Sequence, residues 1–522
     1  MTNIRLLDCT LRDGGYCNNW TFGQNNIHKI VNGLLEANLD IIEVGYISQK
    51  KEFHIERTQY SSFEQAGQFI PENREGRIFV GMINYEEFNI DDIPVYDGSS
   101  VEGIRVTFHK KERVEALEFC AKLKEKGYKV FIQGMVSLSY TDDEFLDLIK
   151  RVNAFEPYVF YIVDSFGMMK GKDLRRLFYT VDHNLSENIY IGFHSHNNMQ
   201  LAYSNCLALT SMETNRSIII DASIYGMGRG AGNLNTELFI QYLNENHSKD
   251  YKLKPLLTII DEILDEFHKE NYWGYNLPNY ISAKNNAHPN YAGFLADKNT
   301  LTVEDMENIF LLMDEDKKVR FDKAYIEELY TRYLATGKVQ EEHKGELEQK
   351  LKDKTVVLVA PGRSSEEEKE KILDAAKDAV CISVNFDYPE SNYVFLSNLR
   401  RYKELPEESL SKAIVTSNIT TSDKVYLQTK YRDLLNDVEA VRDNAGLMAI
   451  KFLIDYGVKE ILLAGFDGYS HDFKENYANA SMELITKNAL LDAMNTGMSE
   501  VLKLYSNDIK ISYLTTPKYV KL

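Results

Sequence analysis

Two histidines one residue apart, His194 and His196, close a run of aromatic and β-branched residues, YIGFHSH. Side chains two apart on a strand point the same way, so both imidazoles can reach a single cation. Neutral imidazole is the commonest metal ligand, yet a His-x-His pair alone also serves ordinary surface and hydrogen-bonding roles. A second segment, LDCTLRDGG, adds Asp13, a hard oxygen donor, directly after Arg12, whose charge is permanent. An open oxygen and nitrogen site of this kind suits Mg, Mn, Co or Zn. Arg12 beside Asp13 has a structural alternative, a salt bridge closing the mouth of the site. Its chemical use would be to stabilise an enolate oxygen while the metal polarises the same oxo acid, which makes or breaks a carbon–carbon bond next to a carbonyl.

Such groups must be brought together by elements, and the spacing of apolar residues says which. Short strand-like runs fall at Ile4 to Cys9, Ile41 to Tyr46, Ile78 to Ile83, Gly103 to Thr107, Lys129 to Met135, Val159 to Val163, Tyr190 to Phe193 and Ser217 to Asp221. Helix-like stretches such as Gln24 to Ala37, Arg113 to Lys126, Asp142 to Ala154 and Met199 to Met212 lie between them. Eight strands in this alternation predict an α/β fold, a TIM (β/α)8 barrel, whose active site gathers where the strands end. Arg12 and Asp13 follow the first run, Ser165 the sixth, His194 and His196 the seventh, and the glycine-rich GMGRGAGN the eighth. Every polar motif therefore falls at the same end.

Three of these motifs, DCTLRDGG, GFHSHNN and DASIYGMGRGAGNLNTE, occur in the order seen in the HMG-CoA lyase-like metal-dependent barrels, the DRE-TIM metallolyases. The chain resembles that family over about residues 1 to 300, most closely its 4-hydroxy-2-oxovalerate aldolase branch. The resemblance implies a divalent-metal-dependent aldolase or lyase working through a metal-bound enolate of a pyruvate-like 2-oxo acid, with an aldehyde as the other partner. It implies Asp13, His194 and His196 as metal ligands, Asn233 as the fourth ligand or a near neighbour, and Arg12 as the group that stabilises the enolate. Ser165, in VDSFG, resembles the residue that contacts the oxo acid end of the substrate. Mn or Mg is the expected metal, with Co or Zn as alternatives.

Tyr16 departs from the family pattern, because the aldolases carry an acid/base His there and the lyases and synthases Gln. A phenol can also carry a proton, so Tyr16 is a catalytic expectation, with simple packing as its alternative. His288 and Tyr291, in the NAHPNY insert, are further candidates should a helical lid close over the mouth. Glycines 226, 228, 230 and 232 are not a dinucleotide fingerprint, since they follow the last strand of a barrel instead of opening a βαβ unit. They let backbone approach the metal and the anionic end of a substrate, and Gly230 is expected to bind substrate. Two other functions stay open at this level, a Claisen-type acyl-CoA condensing synthase and a non-catalytic barrel joined to a nucleotide-sugar-binding domain.

Length supports more than one core: 522 residues exceed what one usually holds, and a 44% hydrophobic, 27% charged composition is that of a folded globular protein. We expect the barrel over 1–250, a helical extension or lid over 251–340, and a smaller doubly wound, Rossmann-like domain over 355–522, with the charged stretch Lys338 to Lys354 as linker. In that last domain APGRSS, with Arg363, offers a phosphate cradle without the lysine of a Walker loop. With YVFLSNLRRY and ILLAGFDGYS it bears a faint resemblance to nucleotide-binding folds of bacterial sialyltransferase-like proteins, and a structural or oligomerising role is the alternative. Sixty basic against 79 acidic residues leave a net charge of −19, which repels phosphate backbones and anionic membranes, so no nucleic-acid or membrane partner is expected. Five scattered cysteines, without CxxC spacing, and an N-terminus lacking a signal-peptide pattern predict a cytoplasmic protein with buried thiols. Assembly into a homo-oligomer is expected.

Overall fold

The computed structural model describes residues 3–335, 337, 339–421, 424–479, 482, 486 and 488–522. Two compact units result, one of residues up to Gly293 with Asp314–Phe321, the other of Phe294–Met313 with residues from Asp322 onward. The helical segment 251–340 is thus shared between them.

Eight parallel strands make the first unit a barrel: β1 Ile4–Asp8, β2 Ile41–Ile47, β3 Ile78–Asn84, β4 Gly103–Phe108, β5 Lys129–Gly134, β6 Val159–Asp164, β7 Tyr190–Ser195 and β8 Ile218–Ala222. Each pairs with the next, and β1 pairs with both β2 and β8, which closes the circle. The eight predicted runs are these strands, with ends displaced by at most two residues. A two-residue strand, Gln59–Tyr60, pairs with β2 and was not anticipated.

Alternation along each strand separates two cores. Leu7, Ile41, Val80, Phe131, Val159 and Ile219 fill the interior, while their neighbours Leu6, Ile42, Phe79, Ile132, Phe160 and Ile220 pack outward with the helices. Helix Asp142–Asn153 shows how the outer layer forms. Thr141 accepts from the Glu144 N–H and the Glu144 carboxylate accepts from the Thr141 N–H, which fixes the helix start. Phe145, Leu148, Ile149 and Val152 then recur on one buried face, each contributing about 1.5–3 kcal/mol when fully covered.

The next inward layer is polar. Glu43 on β2, Arg105 on β4, Tyr161 on β6 and Asp221 on β8 all lie within 1% of full burial. Alternate strands supply such four-membered layers in this fold, usually with branched apolar residues. Here three of the four carry charge, and they form the floor of the site described below.

In the second unit, strands β9 Thr355–Val359, β10 Val380–Val384, β11 Tyr393–Leu396, β12 Ala413–Thr416, β13 Leu427–Thr429, β14 Glu460–Ala464 and β15 Lys510–Tyr513 form one parallel sheet. Their order, β13-β12-β11-β10-β9-β14-β15, is doubly wound. No helix among the described residues is long and apolar enough to cross a membrane.

Candidate metal centre

Asp13 owes its position to the tight turn after β1. The Asp8 carboxylate accepts from the Thr10 N–H at 3.0 Å and from the Thr236 hydroxyl at 2.8 Å. The N–H groups of Arg12 and Asp13 both return to the Cys9 carbonyl, at 3.1 and 2.8 Å. One helical turn, Thr10–Asp13, therefore aims Arg12 and Asp13 back over the strand ends.

There Asp13 meets His194 and His196, with one ligand atom from each lying within 4.8 Å of the others. All three are at most 5% exposed. Both rings are oriented by their far nitrogens. His194 Nδ1 lies 2.9 Å from Asp221 Oδ2, and His196 Nδ1 lies 3.1 Å from the Asp164 carbonyl. Those acceptors place the ring proton on Nδ1 and leave each Nε2 lone pair for a cation. Burial pushes the His194 imidazole down to about 4, which favours the neutral form a metal needs. Burial would raise the Asp13 carboxyl, but Arg12 and then His196 outweigh it and hold it well below the usual range.

Asn233 joins the group from the loop after β8. Its Nδ2 donates to Asp13 Oδ2 at 2.7 Å, and the backbones of His196 and Asn233 form a bridge. Asn233 Oδ1 and His196 Nε2 are both buried without a hydrogen-bond partner, an expensive arrangement in a dry site unless something else binds them. The donor set of one carboxylate, two imidazoles and one amide oxygen fits a divalent cation.

Arg12 makes the salt bridge that was its structural alternative and keeps a free donor as well. Its Nη1 pairs with Asp13, its Nε lies 3.0 Å from Glu43 Oε2, and its buried Nη2 has no partner. Burial would weaken the guanidinium's hold on its proton, but Glu43 and Asp13 outweigh it, so the charge is retained.

Around the mouth, Tyr16 lies with its ring 4.0 Å from the Arg229 guanidinium and its hydroxyl 3.4 Å from that of Tyr46. Ser165 accepts the Val136 N–H at 2.8 Å and retains its own proton to donate. Gly230, at φ +67°, packs on Asn198, whose Oδ1 would lie 2.6 Å from a Cβ there. Gly228 makes the closest approach to the ligands, since its Cβ would fall 2.3 Å from Asn233 Nδ2 and 2.7 Å from Asp13 Oδ2. His288 lies edge-on to Phe166, which follows Ser165, with ring centroids 5.7 Å apart, and its Nδ1 accepts the Asn290 N–H at 3.2 Å. Burial, then the neighbouring Arg229, His109 and His196, push the His288 imidazole well below its usual range. Tyr291 instead sits with its hydroxyl 2.8 Å from the carbonyls of both Lys317 and Arg320, which share its one proton, as packing.

Sequence reasoning missed Glu43, Arg105, Tyr161, Asp221, His109 and Arg229. For the first four a signal existed: a single charged or hydroxyl-bearing residue at an inward position of an otherwise apolar strand needs a buried partner. Arg105 pairs with both Glu43 and Asp221, and Tyr161 donates to Asp221 at 2.8 Å.

Residues 102–263 match the HMGL-like family model. Among curated relatives, oxaloacetate decarboxylase of Mycobacterium tuberculosis is 26% identical over 245 residues, 46% of this chain and 69% of that protein. The 4-hydroxy-2-oxovalerate aldolase of Geobacillus thermodenitrificans is 26% identical over 270 residues, 50% and 76% of the two chains. Among solved structures, the N-terminal domain of a Bacteroides vulgatus protein, 27% identical, spans 56% of this chain and 96% of its own at a TM-score of 0.49. The family match lies within the barrel, whose residues 102–263 are HMGL-like.

Proposed function

We propose that the barrel reversibly cleaves the carbon–carbon bond of a 4-hydroxy-2-oxo acid, releasing a pyruvate-type fragment and an aldehyde. The observation that carries this reading is Arg12 Nη2, a buried cationic donor without a partner beside Asp13, His194, His196 and Asn233. A divalent ion held by those four residues would supply Lewis acidity toward the 2-oxo acid.

The remaining work falls to side chains. Ser165 donates to the substrate's carboxylate. Tyr16, acting as its phenolate and braced by Arg229 and Tyr46, removes the proton from the 4-hydroxyl. The bond between carbons 3 and 4 then breaks, its electron pair moves toward the 2-oxygen, and Arg12 Nη2 stabilises the charge that develops there. The proton that Tyr16 took is returned to carbon 3 before the fragment leaves, which restores the phenolate. His288, with Nδ1 committed as an acceptor, has an N–H on Nε2 to donate to the aldehyde oxygen. Loss of carbon dioxide from a four-carbon 2-oxo diacid would develop the same charge at the same oxygen, and the oxaloacetate decarboxylase relative makes that the second substrate to assay.

The test is aldehyde release from a 4-hydroxy-2-oxo acid, together with exchange of the pyruvate methyl protons in deuterated water. Both should require Mn or Mg and stop with EDTA. Tyr16→Phe should lose cleavage and keep metal. Activity only with an acyl-CoA donor would favour the condensing synthase instead.

A further inference from the structure

In the second unit the sheet changes direction at β9, with β10 to β13 on one side and β14 and β15 on the other. Connections leave the ends of β9 and β14 in opposite senses and open a crevice, the place where open parallel sheets bind small ligands. A cavity of about 510 Å³ fills it, a size typical of small-molecule sites. Its base is locked backbone: the Ala360 N–H donates to the Ala464 carbonyl at 2.8 Å and the Gly362 N–H to the Gly465 carbonyl at 3.1 Å.

Several polar groups lining this cavity have no partner among the described residues. Ser397, only 3% exposed, has an uncommitted hydroxyl. Asn385, at φ +64°, leaves its Oδ1 buried and unpaired. Arg400 forms no ion pair. Helix Ala445–Asp455 starts at the same wall, where Asn444 caps the Leu447 N–H at 3.2 Å and leaves the first amides, those of Ala445 and Gly446, open. Phe466, Met494 and Met498 supply an apolar surface in the same cavity. Arg363, expected from sequence to face a phosphate, instead pairs with Glu367 at 3.1 Å, and the helix it precedes has four residues.

We propose that this cavity binds a nucleotide, with its phosphate against Arg400 and the open amides, its ribose hydroxyls on Ser397 and Asn385, and its base on the apolar wall. A cationic donor fits the anion, unpaired buried acceptors fit hydroxyl donors, and the apolar surface of Phe466, Met494 and Met498 fits a ring. Nothing in this assignment depends on the reaction of the barrel.

Calorimetric titration of the full chain tests it, with CMP, UMP, AMP and GMP as probes and inorganic phosphate, uridine and adenosine as separate arms. At least one monophosphate should bind one per chain with Kd below about 1 mM, and phosphate and the nucleosides at least about tenfold more weakly. Arg400 is exposed, so Arg400→Ala leaves the fold intact and should weaken binding by about tenfold or more. Ala445→Phe, which fills the cavity, should abolish it while the metal content of the barrel stays unchanged. Absence of binding by every monophosphate overturns the proposal. So does inorganic phosphate binding as tightly as the nucleotide, or binding indifferent to both substitutions.

Discussion

His194 Nδ1 and Asp221 Oδ2 stand 2.9 Å apart at the floor of the barrel mouth. The same aspartate accepts from Arg105 and from the Tyr161 hydroxyl, so the imidazole's orientation is tied to a buried charge cluster built from β4, β6 and β8. Asp221→Asn preserves size but removes the charge that selects the Nδ1–H tautomer. Its affinity for Mn, measured by calorimetry against the wild type, should fall by about 10- to 100-fold. An unchanged Kd would mean the ring is oriented without Asp221.

Arg12 serves Asp13, Glu43 and the open site at once. Arg12→Lys keeps the positive charge but cannot present Nε and two Nη donors together. Metal content should remain near that of the wild type, while kcat falls by about 10²- to 10³-fold, the usual loss for a missing oxyanion donor. Loss of metal with kcat per bound metal preserved would place Arg12 in ligand positioning alone.

Gly228 leaves no room for a side chain between Asp13 and Asn233. Gly228→Ala should displace the Asn233 amide and weaken metal binding, as Asn233→Ala should on its own. Sharing Asn233 as a neighbour, the two should add less than fully, the remaining loss in the double variant coming from the new Cβ against Asp13 Oδ2. Additive losses in metal Kd would show that Gly228 acts elsewhere.

Burial pushes the Asp8 carboxyl up to about 6, despite its bonds from Thr10 and Thr236. An unfolded aspartate releases its proton near 3.9, so between about pH 4 and 6 the folded chain holds a proton that the unfolded chain has lost. The resulting stability is fully present below the unfolded value and is lost as pH rises through 6, by roughly 3 kcal/mol at most. Asp8→Asn stays neutral and retains both partners, because the Thr236 hydroxyl can also accept. Its melting temperature should therefore exceed that of the wild type at pH 8, with the difference shrinking toward pH 4. A difference constant across that range would contradict the assignment.

Much of the barrel was legible because its strands are short apolar runs on a repeating interval, and a ligand at a strand end is visible from residue type alone. Asp13, His194 and His196, expected from residue type and strand position, are brought together, and Asn233, expected from the family resemblance, lies beside them. The floor was not legible. Glu43, Arg105 and Asp221 are each one charge within an apolar strand, and a single sequence does not say that residues 105 and 221 face each other across a barrel. In the second domain, Leu427–Thr429 and Lys510–Tyr513 escaped notice because each lies at an edge of the sheet with one neighbour. β15 is also only partly buried, so it lacks the continuous apolar run that marks a central parallel strand. His109 gave no signal, since a lone His in a loop is ordinary surface composition, whereas Arg229 lies inside the GMGRGAGN run, whose glycines drew the attention instead.

Metal stoichiometry tests the central claim most directly. Protein stripped with EDTA, reconstituted with Mn and freed of excess should carry one ion per chain by elemental analysis, and the His194→Ala, His196→Ala double variant should carry none while keeping the circular dichroism of the wild type. An ion content of zero in the reconstituted wild type, or one unaffected by loss of both histidines, would contradict the account.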